Sequence, residues 1–266
     1  MYGRLQLASK YLQYYLRSSN GRGHGVHSPF VFEFITKVLS DKTNYPVYEE
    51  VEALRRQLLK DQTLLSVEDM GAGSTRSKNS QRTIASIAKN AAKSKKFGQL
   101  LYRIAKFYQP HIILELGTSL GITSSYLAKA RPEAKVVTLE GAKEILTVAK
   151  DNFRHLQLEN IETVEGNFDD TLQSAASSLQ SSIDLAFVDG NHCLQPTIQY
   201  FESILTKTNN FSLVILDDIH WSHEMEQAWE HCQSHASVTL SIDLFFIGIL
   251  VFRKEIMEKQ HFVIRF

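Results

Sequence analysis

Four carboxylates and one imidazole stand where apolar runs of this chain stop. Glu140 ends Val136–Glu140 and is followed by Gly141; Asp189 follows Asp184–Val188, with His192 three residues on; Asp217 and Asp218 follow Leu213–Leu216. Acids at the ends of strands can accept hydrogen bonds from ribose hydroxyls, hold an amine or ligate a hard cation. An imidazole with an unperturbed pKa near ~6.5 can take a proton from a hydroxyl.

Upstream lies Ile113-Leu-Glu-Leu-Gly117-Thr-Ser-Leu-Gly121, a buried run passing through glycines into a helical pattern. Such a turn lets backbone approach a ligand closely, and the helix N-terminus favours negative groups. The loop lacks the Gly-x-Gly-x-x-Gly of nicotinamide enzymes. Glu140 follows Gly117 by 23 positions. That placement suits the ribose of either a nicotinamide or an S-adenosylmethionine cofactor.

The elements that must position these residues alternate. Ile112–Leu116, Val136–Glu140, Ile161–Glu165, Asp184–Val188 and Leu213–Leu216 read as strands, each followed by a helix-length amphipathic segment. Alternation of this kind implies a parallel sheet covered by helices on both faces. Val238–Ile242 and Phe245–Phe252 then follow each other with only a short turn, which permits only antiparallel pairing. The expectation is an α/β fold: a seven-stranded, mostly parallel, doubly wound sheet ending in an antiparallel hairpin. Before residue 95 the pattern is helical, with no convincing strand series. Leu5, Leu12, Tyr15 and Leu16 share one helical face, Ser28-Pro29 starts a second helix, and Val47–Leu59 makes a third. The expected division is an N-terminal helical cap over 1–95 and a cofactor-binding domain over 96–266.

Lys96-Phe-Gly-Gln-Leu-Leu, Tyr108–Gly121, Val137-Thr-Leu-Glu140, Val164-Glu-Gly-Asn167, Phe187-Val-Asp189 and Leu216-Asp-Asp218 together resemble the class I S-adenosylmethionine-dependent methyltransferases, in particular the catechol and caffeoyl-coenzyme A O-methyltransferase group. The resemblance covers about residues 95–252. It implies S-adenosylmethionine held by Glu115, Gly117, Thr118, Ser119, Gly121, Glu140, Gly141, Asn167, Phe168 and Asp189. It also implies Mg²⁺ at Asp189, Asp217 and Asp218, with Asp218 in place of the usual Asn. His192 stands where catechol O-methyltransferase has a lysine base, so His192, Asp189 and Asp217 are the expected catalytic set. A second reading stays open: Asp189 holds the amine of the cofactor, and Asp217-Asp218 cap the next helix without a metal. The implied function is O-methylation of a small-molecule hydroxyl.

Composition excludes little else. The 266 residues carry 29 Lys+Arg against 29 Asp+Glu, so net charge points to no partner. Two cysteines, Cys193 and Cys232, make no disulfide framework or zinc motif. The N-terminus lacks a signal-peptide core, and the longest apolar run, Phe245–Phe252, falls far short of the ~20 residues of a membrane span. A cytoplasmic protein with no membrane partner is expected. Nine bases and no acid fall between Ser74 and Leu114. That basic stretch, residues 76–106, supports an alternative, RNA (tRNA) methylation. A non-catalytic cofactor-binding module is the other alternative. Met70-Gly-Ala-Gly-Ser74 reads as a flexible turn, and His24 and His27 lie in a glycine-rich loop, where two histidines more often do structural work or none than serve as ligands.

Overall fold

The computed structural model of the chain describes residues 1–19, 27–67 and 80–266. In chain order the elements are α1 (Arg4–Arg17), α2 (Pro29–Glu33, continued by a π-helical turn Phe34–Leu39), α3 (Pro46–Leu58), β1 (Leu64–Val67), β2 (Ser80–Thr83), α4 (Ile84–Asn90), α5 (Lys95–Tyr108), β3 (Ile112–Leu116), α6 (Ile122–Ala130), β4 (Lys135–Glu140), α7 (Lys143–His155), β5 (Ile161–Glu165), α8 (Phe168–Ser178), β6 (Ile183–Val188), α9 (Leu194–Leu205), β7 (Thr208–Asp217), α10 (His223–Ser234), β8 (Leu240–Asp243), β9 (Ile247–Val251) and β10 (Gln260–Val263). Eight strands form one mostly parallel sheet, and β1 and β2 form a separate antiparallel pair. The expected α/β sheet with its antiparallel hairpin is therefore present, with one strand more than expected. The extra strand, β10, pairs parallel with β8 at the sheet edge. The region before residue 95 is not purely helical either, because β1 and β2 lie there. Much of the loop 20–27, all of 70–74, and Arg76 and Lys78 of the basic stretch lie outside the described residues.

The chain separates into two compact units, Lys42–Gln180 and Met1–Asp41 with Ser181–Phe266. In the first, β3, β4 and β5 run parallel, with Leu116 opposite Leu139 and Glu140 opposite Glu165. The apolar runs of β3 and β4 are buried, the expected fate of continuous Val/Ile/Leu segments in parallel sheets, whereas β5, at the sheet edge, is only half-buried. A helical layer is joined by a buried polar contact: Tyr126 of α6 donates to Glu52 of α3 at 2.9 Å, and Glu52 also pairs with Arg55 at 3.0 Å. The bases of the acid-free stretch are used differently from one another. Arg103 is buried near Tyr48, Lys106 lies over the Tyr45 ring, and Lys95 is exposed.

In the second unit, β6 and β7 are parallel, and β9 inserts antiparallel between β7 and β8. α1 is fixed along one face only. Tyr14 is buried and its hydroxyl donates to the Ile264 carbonyl, while Lys10 pairs with Glu226 of α10 at 2.9 Å. The shared face of Leu5, Leu12, Tyr15 and Leu16 points to solvent. Behind Glu226 stands His220, whose Nδ1 lies 3.0 Å from Glu226 and whose Nε2 lies 2.8 Å from Asp243. Only an imidazolium can donate from both nitrogens.

This clamp has a pH signature. Burial works against the charged ring, but the hydrogen bonds and charges of Asp243 and Glu226 outweigh it and raise the His220 pKa. A raised folded-state value means that the stabilisation is complete below the ordinary imidazole value of ~6.5 and is lost as pH climbs through the folded value. Denaturant midpoints measured across neutral pH should fall with rising pH, and a His220→Gln variant should flatten that part of the profile.

Candidate active site

In the Lys42–Gln180 unit the glycine loop is built by its backbone. Gly117 has φ 98°, Ser119 φ 47° and Gly121 φ 80°. The amides of Gly117 and Thr118 both donate to the Leu139 carbonyl, at 3.0 and 3.1 Å, tying the loop to β4. Gly121 begins α6, and a Cβ there would enter the Phe153 ring of α7. Beneath the loop, Glu115 is 0% exposed. Its Oε2 accepts from Thr138 at 2.6 Å and from the Ser124 hydroxyl, and Thr118 bonds Thr138 at 2.6 Å. Glu115 thus presents no surface to a ligand; it organises the loop from below. The sequence signal for this network was Thr138, a lone polar residue inside a buried strand.

Glu140 ends β4. Its Oε2 accepts from the Ser119 amide at 2.8 Å and its Oε1 from the Ala142 amide at 3.0 Å. Burial raises its pKa, against the pull of the amides of Ala142, Ser119 and Gly141. A carboxylate offers about four lone-pair positions, so two amide bonds leave it able to accept more. Beside it the Ser119 hydroxyl is buried and bonds no other group among the described residues. Across the next strand end, Asn167 caps α8 by accepting from the Asp169 amide at 3.2 Å, and Phe168 is half-buried rather than core.

In the other unit, the register Val188↔Leu216 brings the ends of β6 and β7 level. The residues one step further, Asp189 and Asp217, therefore meet. With His192 they form a group whose ligand atoms all lie within 4.8 Å of one another. His192 Nε2 is 3.6 Å from Asp189 Oδ1. Asn191, in a left-handed turn at φ 59°, reverses the chain so that His192 returns to the strand ends. Asp217 is 1% exposed, whereas Asp189 and His192 are partly open. Asp218 is not in this group. It takes φ 52°, and its amide donates to the Phe246 carbonyl at 2.6 Å. The structure thus assembles two carboxylates and an imidazole in place of three carboxylates. Of the other rim histidines, His220 is held by Glu226 and Asp243, and His223 opens α10.

Residues 114–219 match a family model described as a methyltransferase domain. The matched segment is similar to a methyltransferase domain over about two fifths of the chain. It contains the glycine loop, Glu140 and the Asp189–His192–Asp217 group. Over 124 residues the chain is 27% identical to a catechol O-methyltransferase of Niastella koreensis, covering 46% of this chain and 55% of that protein. The match thus spans about half the length of the curated relative. Among solved structures, an SAH-bound methyltransferase of Podospora anserina aligns over 95% of this chain and 97% of its own, at TM-score 0.58 and 13% identity. An O-methyltransferase of Bacillus cereus in complex with SAH aligns over 82% and 96%, at TM-score 0.56 and 20% identity. The chain accordingly shares the fold of these structures.

The glycine loop itself is testable. Replacing Gly121 by Ala forces a side chain into a left-handed backbone and against the Phe153 ring. We expect a loss of about 1–3 kcal/mol in unfolding free energy, read as a lower urea midpoint with unchanged slope.

Proposed function

We propose that the chain is an S-adenosylmethionine-dependent O-methyltransferase acting on a small-molecule hydroxyl. The observation that carries this reading is the meeting of Asp189, His192 and Asp217 at two level strand ends, within the segment similar to a methyltransferase domain. S-adenosylmethionine, when bound, supplies a methyl group on a sulfonium, ready for direct displacement.

The residues of the glycine loop suit such a cofactor. Glu140 retains acceptor capacity for ribose hydroxyls, and the Ser119 hydroxyl is buried without a partner among the described residues. The open backbone at Gly117 and Gly121 permits close approach. Asn167 and Phe168 offer a polar edge and a flat apolar face to a purine.

His192 takes the proton of the acceptor hydroxyl, and Asp189 orients its ring and favours the imidazolium that results. Asp189 and Asp217 provide the hard oxygen ligands that a Mg²⁺ ion takes, and such an ion would make the hydroxyl more acidic. The imidazole is the less fitting donor for Mg²⁺, which favours His192 as base over His192 as ligand. Asp218, turned into the β7–α10 loop, keeps a shaping role.

Calorimetric titration with S-adenosylhomocysteine and with NAD tests the cofactor. We expect binding of the first alone; binding of NAD alone would refute the reading. Glu140→Ala should weaken S-adenosylhomocysteine about tenfold or more, given ~1.5–3 kcal/mol for a charge-assisted hydrogen bond. Methyl transfer to catechol, used as a probe acceptor, should fall by about 10²–10⁴ in His192→Ala. It should also cease with EDTA and return with Mg²⁺. Transfer indifferent to EDTA would remove the metal and leave His192 as base alone.

A further inference from the structure

α1 carries an apolar stripe with no counterpart among the described residues. Thirteen large apolar side chains are exposed among the described residues, and six of them belong to the first sixteen: Met1, Leu5, Tyr11, Leu12, Tyr15 and Leu16. So dense a cluster is not the scatter expected of an ordinary surface. Leu5, Leu12 and Leu16 are 89%, 58% and 72% exposed. At 3.6 residues per turn, these leucines and Tyr15 fall on an arc of about 100°. The inward face of the helix is already committed through Tyr14 to Ile264 and through Lys10 to Glu226. The helix is therefore fixed in place, with a second apolar face directed outward.

Charge identifies what that face meets. Residues 1–32 contain Arg4, Lys10, Arg17 and Arg22 and no acid; the first acid is Glu33. Lys10 is neutralised by Glu226, but Arg4 and Arg17 form no ion pair with any described residue. The Arg265 guanidinium stacks on Tyr15 at 3.8 Å and adds another positive charge at the edge of the stripe. A second copy packed on the same stripe about a two-fold axis would set Arg4 of one helix toward Arg265 of the other, whereas Arg17 lies on the far flank of the helix with Lys10 and Tyr14. No acid in α1 would compensate that repulsion. A lipid surface bearing negative headgroups satisfies both features. Leucines enter the acyl boundary, tyrosines suit the interface, and arginines remain among the phosphates.

We propose that α1 is an amphipathic anchor that lies in the interface of an anionic membrane. The sequence expectation of no membrane partner rested on the lack of a spanning run. No helix among the described residues is long and apolar enough to cross a bilayer, but a helix lying in the surface needs only one apolar face. The proposal is independent of the chemistry assigned to the matched segment.

The test is cosedimentation of the full chain with vesicles of phosphatidylcholine alone and of phosphatidylcholine mixed with phosphatidylglycerol. Binding should appear with the mixed vesicles, rise with their phosphatidylglycerol content and weaken as sodium chloride is added. The triple variant Leu5→Ser/Leu12→Ser/Leu16→Ser should lose about tenfold or more in partitioning, since each buried leucine counts for much more than its polar replacement. These residues are exposed, so its thermal midpoint should stay that of the parent chain. Arg4→Glu/Arg265→Glu should abolish the preference for phosphatidylglycerol. Three results would each overturn the proposal: no binding to either vesicle, undiminished binding by the triple serine variant, or a solution dimer of the parent that the triple variant converts to monomer.

Discussion

Parallel pairing in level register is the constraint on which the glycine loop with Glu140 and the Asp189–His192–Asp217 group each depend. When parallel strands end opposite one another, the residues that follow them emerge side by side, and no other secondary structure gathers distant sequence positions so economically. Leu116 opposite Leu139 places the glycine loop against Glu140, whose carboxylate then takes the Ser119 amide. Val188 opposite Leu216 does the same for Asp189 and Asp217. A one-residue slip in either ladder would turn the next side chain to the opposite face and dismantle the group.

Two kinds of polar residue serve this arrangement. Glu140, Ser119, Asp189 and His192 retain access to solvent or unused hydrogen-bonding capacity. Glu115, Thr138, Ser124 and Thr118 have neither surface nor freedom. A buried carboxylate is tolerable only when its partners are fixed, and here the hydroxyls of Thr138 and Ser124 bond it while Thr118 holds Thr138. The loop above it therefore inherits its shape from a polar network that no ligand touches.

Much of this was readable from residue order. Five apolar runs from Ile112 to Leu216 became parallel strands, because their length and flanking helices admit little else. The missed strands are short and marginal. β2 is Ser-Gln-Arg-Thr, without one apolar residue, and β10 offers only Phe262 and Val263. Edge and hairpin strands are held by backbone pairing, which leaves no hydrophobic pattern to read. All three members of the candidate cluster, Asp189, His192 and Asp217, were legible as the expected catalytic set; what residue order did not show is that Asp218 stands outside it. Asp218 adjoins Asp217 in sequence, yet its left-handed backbone and its bond to Phe246 separate it from the group, while the turn at Asn191 brings His192 in. Periodicity likewise showed that Leu5, Leu12, Tyr15 and Leu16 share a face, but not whether that face turns inward. That was decided by Tyr14 and Lys10, whose partners lie more than two hundred residues away.

Those distant partners also set an order of events during synthesis. Lys42–Gln180 is continuous in the chain and can assemble as soon as it has left the ribosome. Met1–Asp41 emerges first but has to wait, since the segment that completes its unit begins only at Ser181. Until Ile264 appears, the Tyr14 hydroxyl has no acceptor there, and both faces of α1 are open to water. Between the synthesis of α1 and that of Ile264 the nascent chain therefore carries an unsatisfied apolar helix, a form open to capture by holdase chaperones.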